Sequence, residues 1–213
     1  MMQFIPALLP RLIEVIADII EKNAEEVTAL DQAIGDGDHV INLRRGIHAL
    51  MAQRDELAKL DWAAAWQKIG MTLMSTVGGA SGSLFGTLFV AMSKATRGQP
   101  LDLHRFAEIF TQGVESVKLR GKADVGEKTM LDVLVPVADY LRVAAANAVP
   151  VPEVLAGVAG VAIAGMESTR DMLATKGRAS FLEERTRGHI DAGAKTTQLM
   201  ICAIAGVLST TPA

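Results

Sequence analysis

Cysteine is nearly missing from this sequence: Cys202 stands alone among 213 residues, so no internal disulfide can form and the core must rest on apolar burial. One Cys beside ten Met suits a reducing compartment, and a cytoplasmic location is expected. Aromatic residues are scarce at 4%, with a single Tyr, and no segment alternates apolar and polar residues with period two, so no convincing strand emerges. Excess charge is also small. The 21 Lys and Arg against 24 Asp and Glu give a net charge of -3, which offers no electrostatic footprint for nucleic acid. A charge interrupts each apolar run before it reaches the roughly 18 residues of a membrane span. The closest case, Val151 to Met166, contains Glu153 and is flanked by Glu167 and Arg170. The N-terminal Met1-Met2-Gln3-Phe4-Ile5-Pro6 has no basic region of the secretory kind. Neither a membrane nor a nucleic acid is an expected partner.

Half of the residues are hydrophobic and the mean hydropathy is +0.28, which reflects a large core of Ala, Leu, Val and Ile. Repeats, low-complexity tracts and linkers are absent, so one domain over 1–213 is expected. Leu8, Leu9, Leu12, Ile13, Val15, Ile16, Ile19 and Ile20 recur at helical spacing, with Pro10 in the first turn or at a kink. The same periodicity predicts helices over about 40–57, 61–76, 81–97, 102–119, 128–147, 152–174 and 192–209, eight in all. Asp61 and Asp102 are expected N-caps, Pro152 suits a first turn, and Pro136 should kink its helix. An all-α bundle follows. Its two long polar connections, 31–39 and 174–191, are where chemistry is expected.

Asp31, Asp36 and Asp38 fall within eight residues, and Gly37 permits a tight turn between the last two. If they converge they repel one another, and Mg²⁺ would relieve this as a hard cation bound by oxygen. A solvated Asp/Gly turn that caps the next helix explains the same residues. An EF-hand is excluded, because the twelfth position from Asp36 is Ile47 rather than Glu.

Val77-Gly78-Gly79-Ala80-Ser81-Gly82-Ser83-Leu84-Phe85-Gly86-Thr87 runs from small residues into an apolar helix. Such a start can bind phosphate through bare N–H groups, or its glycines can serve close helix packing. It is not a nucleophile elbow, since Ser83 occupies the last Gly position and no strand precedes it. Gly121-Lys122-Ala123-Asp124-Val125-Gly126-Glu127-Lys128-Thr129 nearly spells a phosphate-binding P-loop, but Glu127 intrudes and the preceding segment is helical. A plain connector explains it too. Arg178, Arg185 and Arg187 could balance phosphate charge or simply solvate their loop. His48 and His104 fall on helices, and no His/Cys spacing suggests zinc.

Four motifs, in this order, resemble one family: Leu30-Asp31-x-Ala-Ile-Gly-Asp36-Gly-Asp38-His39, Gly-Gly-Ala80-Ser81-Gly, Gly121-Lys-Ala-Asp-x-Gly-x-Lys-Thr-Met130, and Lys-Gly-Arg178-Ala-Ser-x-Leu-x-Glu-Arg185. The family is the nucleotide-binding L subunit of dihydroxyacetone kinase, and the resemblance spans about 30 to 200. It implies an eight-helix antiparallel barrel with an ADP or ATP site in the loops at one end. It also implies a phosphotransferase with an alcohol acceptor. Asp31, Asp36 and Asp38 would hold two Mg²⁺ and serve as the catalytic, charge-neutralising set. Nucleotide contacts would come from His39, Ile41, Asn42, Ala80, Ser81, Gly121, Met130, Arg178, Asp191 and Gly193. The triose would sit on a separate K-type subunit, and bound ADP would be rephosphorylated by an M-type phosphohistidine subunit of the phosphotransferase system. Alternatives are an ATP-dependent subunit for another short keto-sugar or an acyl acceptor, and a nucleotide-bound module that binds a transcription regulator. Val40, Ser83 and Ala192 depart from the family's usual residues beside the site.

Overall fold

The computed structural model describes residues 5–96 and 101–210. Among them the only regular elements are helices: α1 (Leu9–Lys22), α2 (Ala24–Ile34), α3 (His39–Leu57), α4 (Trp62–Thr76), α5 (Gly79–Thr96), α6 (Leu103–Gly121), α7 (Leu131–Ala146), α8 (Val151–Ser168) and α9 (Ala192–Thr210). A strap over 172–190, with a 3-10 stretch at Arg178–Thr186, joins the last two.

Local chemistry sets the boundaries. Pro10 lies in the first turn of α1. Asp61 and Asp102 cap α4 and α6, accepting from the N–H groups of Ala64 at 2.8 Å and Arg105 at 2.7 Å, and so supply donors left free at a helix start with partners. Pro152 sits in the first turn of α8, where its missing N–H costs nothing. Pro136 lies inside α7, which runs on through it to Ala146.

Eight helices form a closed ring. Each of α3 to α9 packs on its chain neighbour, α1 contacts both α3 and α9, and the short connections from α3 through α8 make those neighbours antiparallel. The ring encloses one core that includes Ile20, Leu57, Ile109, Val117, Val133 and Val154, all nearly inaccessible to solvent. Where α4 crosses α5 the backbones touch: a Cβ on Gly70 would lie 2.8 Å from the Gly86 carbonyl, and one on Gly86 would lie 2.9 Å from that of Gly70. Close packing therefore explains Gly86, as one reading of its motif held.

The ninth helix is the departure. Residues 31–39 were expected as a long loop, yet α2 carries the chain to Ile34 and leaves only 35–38 as turn. Ala24, Val27 and Ile34 are its buried residues, at helical spacing, but the helix is short and its last turn carries Asp31 into the Asp/Gly segment that reads as a turn. The helix predicted over 81–97 ends at Thr96, and residue 97 lies outside the described residues. A second correction concerns apolar runs. Val151–Asp171 and Ala192–Thr210 are long and apolar enough to cross a membrane by length and composition, because isolated charges do not lower their mean hydropathy enough. Both are staves of the ring, packed on each other.

Candidate functional site

One end of the ring gathers the N-termini of α3, α5, α7 and α9, since His39, Gly79, Leu131 and Ala192 all line one cleft of about 480 Å³. Four helix starts bring positive dipole ends and main-chain N–H groups to the same place, which favours anions. In the same cleft, around the start of α3, Asp31, Asp36 and Asp38 offer carboxylate oxygens that lie within 4.8 Å of one another. The cleft therefore combines a negative cluster with anion-seeking helix starts.

The three acids are held differently. Asp31 ends α2, and one of its oxygens accepts from the His39 N–H at 3.1 Å. Gly35 leaves room for it: a Cβ there would sit 2.2 Å from the other oxygen. Gly37, with φ of +77°, turns the chain in the left-handed region between Asp36 and Asp38. Asp38 occupies the N-cap of α3 but its side chain makes no capping bond, which leaves the carboxylate available. Asp36 pairs with Arg178 of the strap at 3.0 Å. An all-oxygen set of three carboxylates fits a hard divalent cation such as Mg²⁺.

On the opposite wall, Gly78 lies where a Cβ would come 2.4 Å from Asn42 Oδ1, and Gly79 has φ of +65°. The chain can thus pass tightly under Asn42 and start α5 with Ala80 and Ser81 in the cleft. His39 is half-buried and bridges Ser81 Oγ at 3.2 Å and Thr196 Oγ1 at 2.9 Å. Burial lowers its pKa, against the pull of Asp31, Asp38 and Asp36. Asp191 precedes α9 and accepts from the Ala194 N–H at 2.7 Å. Burial raises its pKa to about 6, opposed by that N–H and by Lys128.

The structure brings Asp31, Asp36, Asp38, His39, Asn42, Ala80, Ser81, Gly121, Met130, Arg178, Asp191 and Gly193 to this cleft. Ile41 does not line it. That side chain is 51% exposed on α3, because the helical step from His39 turns it outward. Of the three departures, Val40 and Ala192 are buried, and Ser83 accepts from the Arg120 guanidinium at 2.8 Å, a bond proline cannot make.

Sequence reasoning missed the residues that fasten the 121–130 loop. Asp132, 1% exposed, accepts from Gly126 N at 2.6 Å and Thr129 N at 2.7 Å. Glu127 receives Asp124 N at 2.7 Å and Thr175 Oγ1 at 3.0 Å and pairs with Lys176 at 3.2 Å, tying loop to strap. Lys128 adopts φ of +60° and is buried, and its ammonium donates to the carbonyls of Thr169 and His189. Burial lowers its pKa, against Asp191, Asp171 and Asp132. That ammonium is spent on main-chain carbonyls, unlike a P-loop lysine. Two consecutive charged residues, Glu127 and Lys128, were the available signal, but nothing local tells that one would turn inward.

Fold and cleft together define an all-helical bundle protein whose polar site lies in the loops and helix starts at one end. Residues 33–206 match the DAK2 domain family. The chain is 42% identical over 185 residues to the PEP-dependent dihydroxyacetone kinase, ADP-binding subunit DhaL, of Escherichia coli K12, covering 86% of this chain and 88% of that protein. It is 40% identical over 178 residues to the PTS-dependent dihydroxyacetone kinase, ADP-binding subunit DhaL, of Lactococcus lactis, covering 84% and 85%. The crystal structure of the dihydroxyacetone kinase from C. freundii in complex with AMP-PNP and Mg²⁺ matches with a TM-score of 0.73 at 25% identity, over 97% of this chain and 35% of that one. This chain thus spans about a third of that kinase. It belongs to the DhaL family of DAK2-domain proteins.

The same comparisons correct one expectation. The relatives matched over most of their length are named as ADP-binding subunits of a kinase, so this chain is not itself the phosphotransferase that the resemblance suggested.

Proposed function

We propose that this chain is the nucleotide-holding subunit of a multisubunit dihydroxyacetone kinase, a cytoplasmic single domain over 1–213 that binds ADP or ATP with two Mg²⁺ at the loop end of its ring. The observation that carries this reading is the meeting of the Asp31, Asp36 and Asp38 carboxylates within 4.8 Å in a cleft that four helix N-termini share. Bound Mg²⁺ would supply charge neutralisation for the β- and γ-phosphates. The chain's own residues do the placing. Asp31, Asp36 and Asp38 hold the cations, while the α5 start at Ala80 and Ser81 offers N–H donors to phosphate oxygens. Arg178, paired with Asp36 at 3.0 Å, lines the same cleft and would balance phosphate charge there. Asn42, His39, Gly121, Met130, Asp191 and Gly193 frame the remainder of the nucleotide.

The phosphoryl group passes to dihydroxyacetone presented by a K-type subunit docked over the cleft, and an M-type phosphohistidine subunit restores ATP from bound ADP. The DhaL relatives belong to PEP-dependent and PTS-dependent kinases, which favours this donor over free ATP. Calorimetry with ADP and Mg²⁺ tests the reading. Asp36→Asn with Asp38→Asn should abolish Mg²⁺-dependent nucleotide binding, and undiminished binding by the double variant would refute it.

A further inference from the structure

We infer that Thr196 is a positioning residue for this site: its hydroxyl fixes the His39 ring with the proton on Nε2 and thereby commits the Ser81 hydroxyl to His39. The argument is a count of protons. Thr196 is fully buried, so its single O–H proton must go to a protein group. Its oxygen lies 3.1 Å from the Ala192 carbonyl and 3.1 Å from that of Gly193. Carbonyls only accept, so a proton sent to Nε2 would leave the Thr196 oxygen against two carbonyl oxygens with no hydrogen between them, whereas a proton sent to a carbonyl lets Thr196 accept from Nε2 and gives the larger number of hydrogen bonds. Nε2, at 2.9 Å, is therefore the donor. In the neutral ring Nδ1 is then the acceptor, and Ser81 Oγ, at 3.2 Å, gives it a proton.

Ser81 lines the cleft, and with its proton engaged its oxygen offers the ligand only lone pairs. It receives a donor, such as a hydroxyl or a metal-bound water, and repels a phosphate oxygen. Anionic oxygens are left to main-chain N–H groups and to Arg178. The three side chains come from α9, α3 and α5, so a residue deep in the last helix sets the polarity of a surface on another.

The nucleotide arm of the test rests on the function proposed above, and the spectroscopic arm does not. Long-range ¹H–¹⁵N correlation spectra of the histidine-labelled protein should show His39 as the Nε2–H form, its signals assigned by their loss in His39→Asn. Thr196→Ser should keep that signature and wild-type affinity for ADP with Mg²⁺. Thr196→Val should lose the single tautomer and weaken ADP binding roughly threefold to tenfold, the worth of one neutral hydrogen bond. An Nδ1–H signature in the wild type overturns the inference, as does Thr196→Val with the wild-type signature, whatever its affinity. Should Thr196→Val not fold, the wild-type and Thr196→Ser spectra decide. Wild-type protein that binds no ADP defeats the proposed function and leaves the tautomer result standing.

Discussion

Asp191 makes folding stability depend on pH in a direction opposite to that of most paired carboxylates. Its ordinary pKa of 3.8 rises to about 6 in the folded chain, chiefly through burial. Below pH 3.8 folded and unfolded chains both hold the proton, and above about pH 6 both have lost it. Between these limits the folded chain alone binds it, so stability falls as pH rises through the window and the full cost of the buried charge is borne above it. At about 1.4 kcal/mol per pKa unit the change amounts to about 3 kcal/mol. Solvent entering the open cleft screens the carboxylate, which brings the expected range to about 1–3 kcal/mol. Other acids titrate in the same window, so the measurement is a difference. Urea unfolding followed by circular dichroism, without metal or nucleotide, compares the wild type with Asp191→Asn at steps from about pH 4 to about pH 7. Asparagine keeps the shape and can still accept from Ala194 N–H. The variant should gain about 1–3 kcal/mol on the wild type as pH rises. Stability curves that run parallel across the window would show that burial does not hold this proton, and the reasoning would fail.

Lys128→Met should destabilise the chain by about 1–3 kcal/mol, read from thermal unfolding. The buried Thr169 carbonyl loses its donor at about 1–3 kcal/mol and the part-buried His189 carbonyl adds less, while relief of the buried charge returns part of that. Gly35→Ala pushes a Cβ into the Asp31 carboxylate, and ADP binding with Mg²⁺ should weaken roughly 10-fold to 100-fold in calorimetry, with a measurable loss of stability because the same Cβ comes 2.8 Å from the Asp31 carbonyl. Asp102→Ala removes the α6 cap and should cost about 1 kcal/mol in urea unfolding, with nucleotide binding unchanged because that cap lies at the end of α6 away from the cleft.

The fold was legible where its causes are local. Apolar spacing marked the eight staves, and the caps at Asp61 and Asp102 fell where a short polar side chain precedes an apolar run. The three aspartates could be singled out because like charges so close in sequence call for a reason. α2 escaped because it is short and its last turn runs into the Asp/Gly segment that reads as a turn. Thr196 and Lys128 escaped for another reason: each acts on a residue or carbonyl that only the closed ring brings near. Asp132 acts within its own loop, on the N–H groups of Gly126 and Thr129, and a lone Asp at a helix start does not announce that it turns inward. Ile41 shows the converse: the resemblance groups it with the site, and its side chain lies outside the cleft lining. A motif carries its whole run of residues to a site, while a helix turns successive ones in different directions.

The ring has no first or last stave once α1 meets α9, and the end that carries the cleft draws on residues from Asp31 to Gly193. A ligand seated there works as a hoop on a cask: it grips every second joint at once and can remain only while all of them stay shut. A ligand present at a hundred times its dissociation constant would tighten such a cask by about 2.7 kcal/mol. Loss of nucleotide and loosening of the staves are then one event seen from two sides.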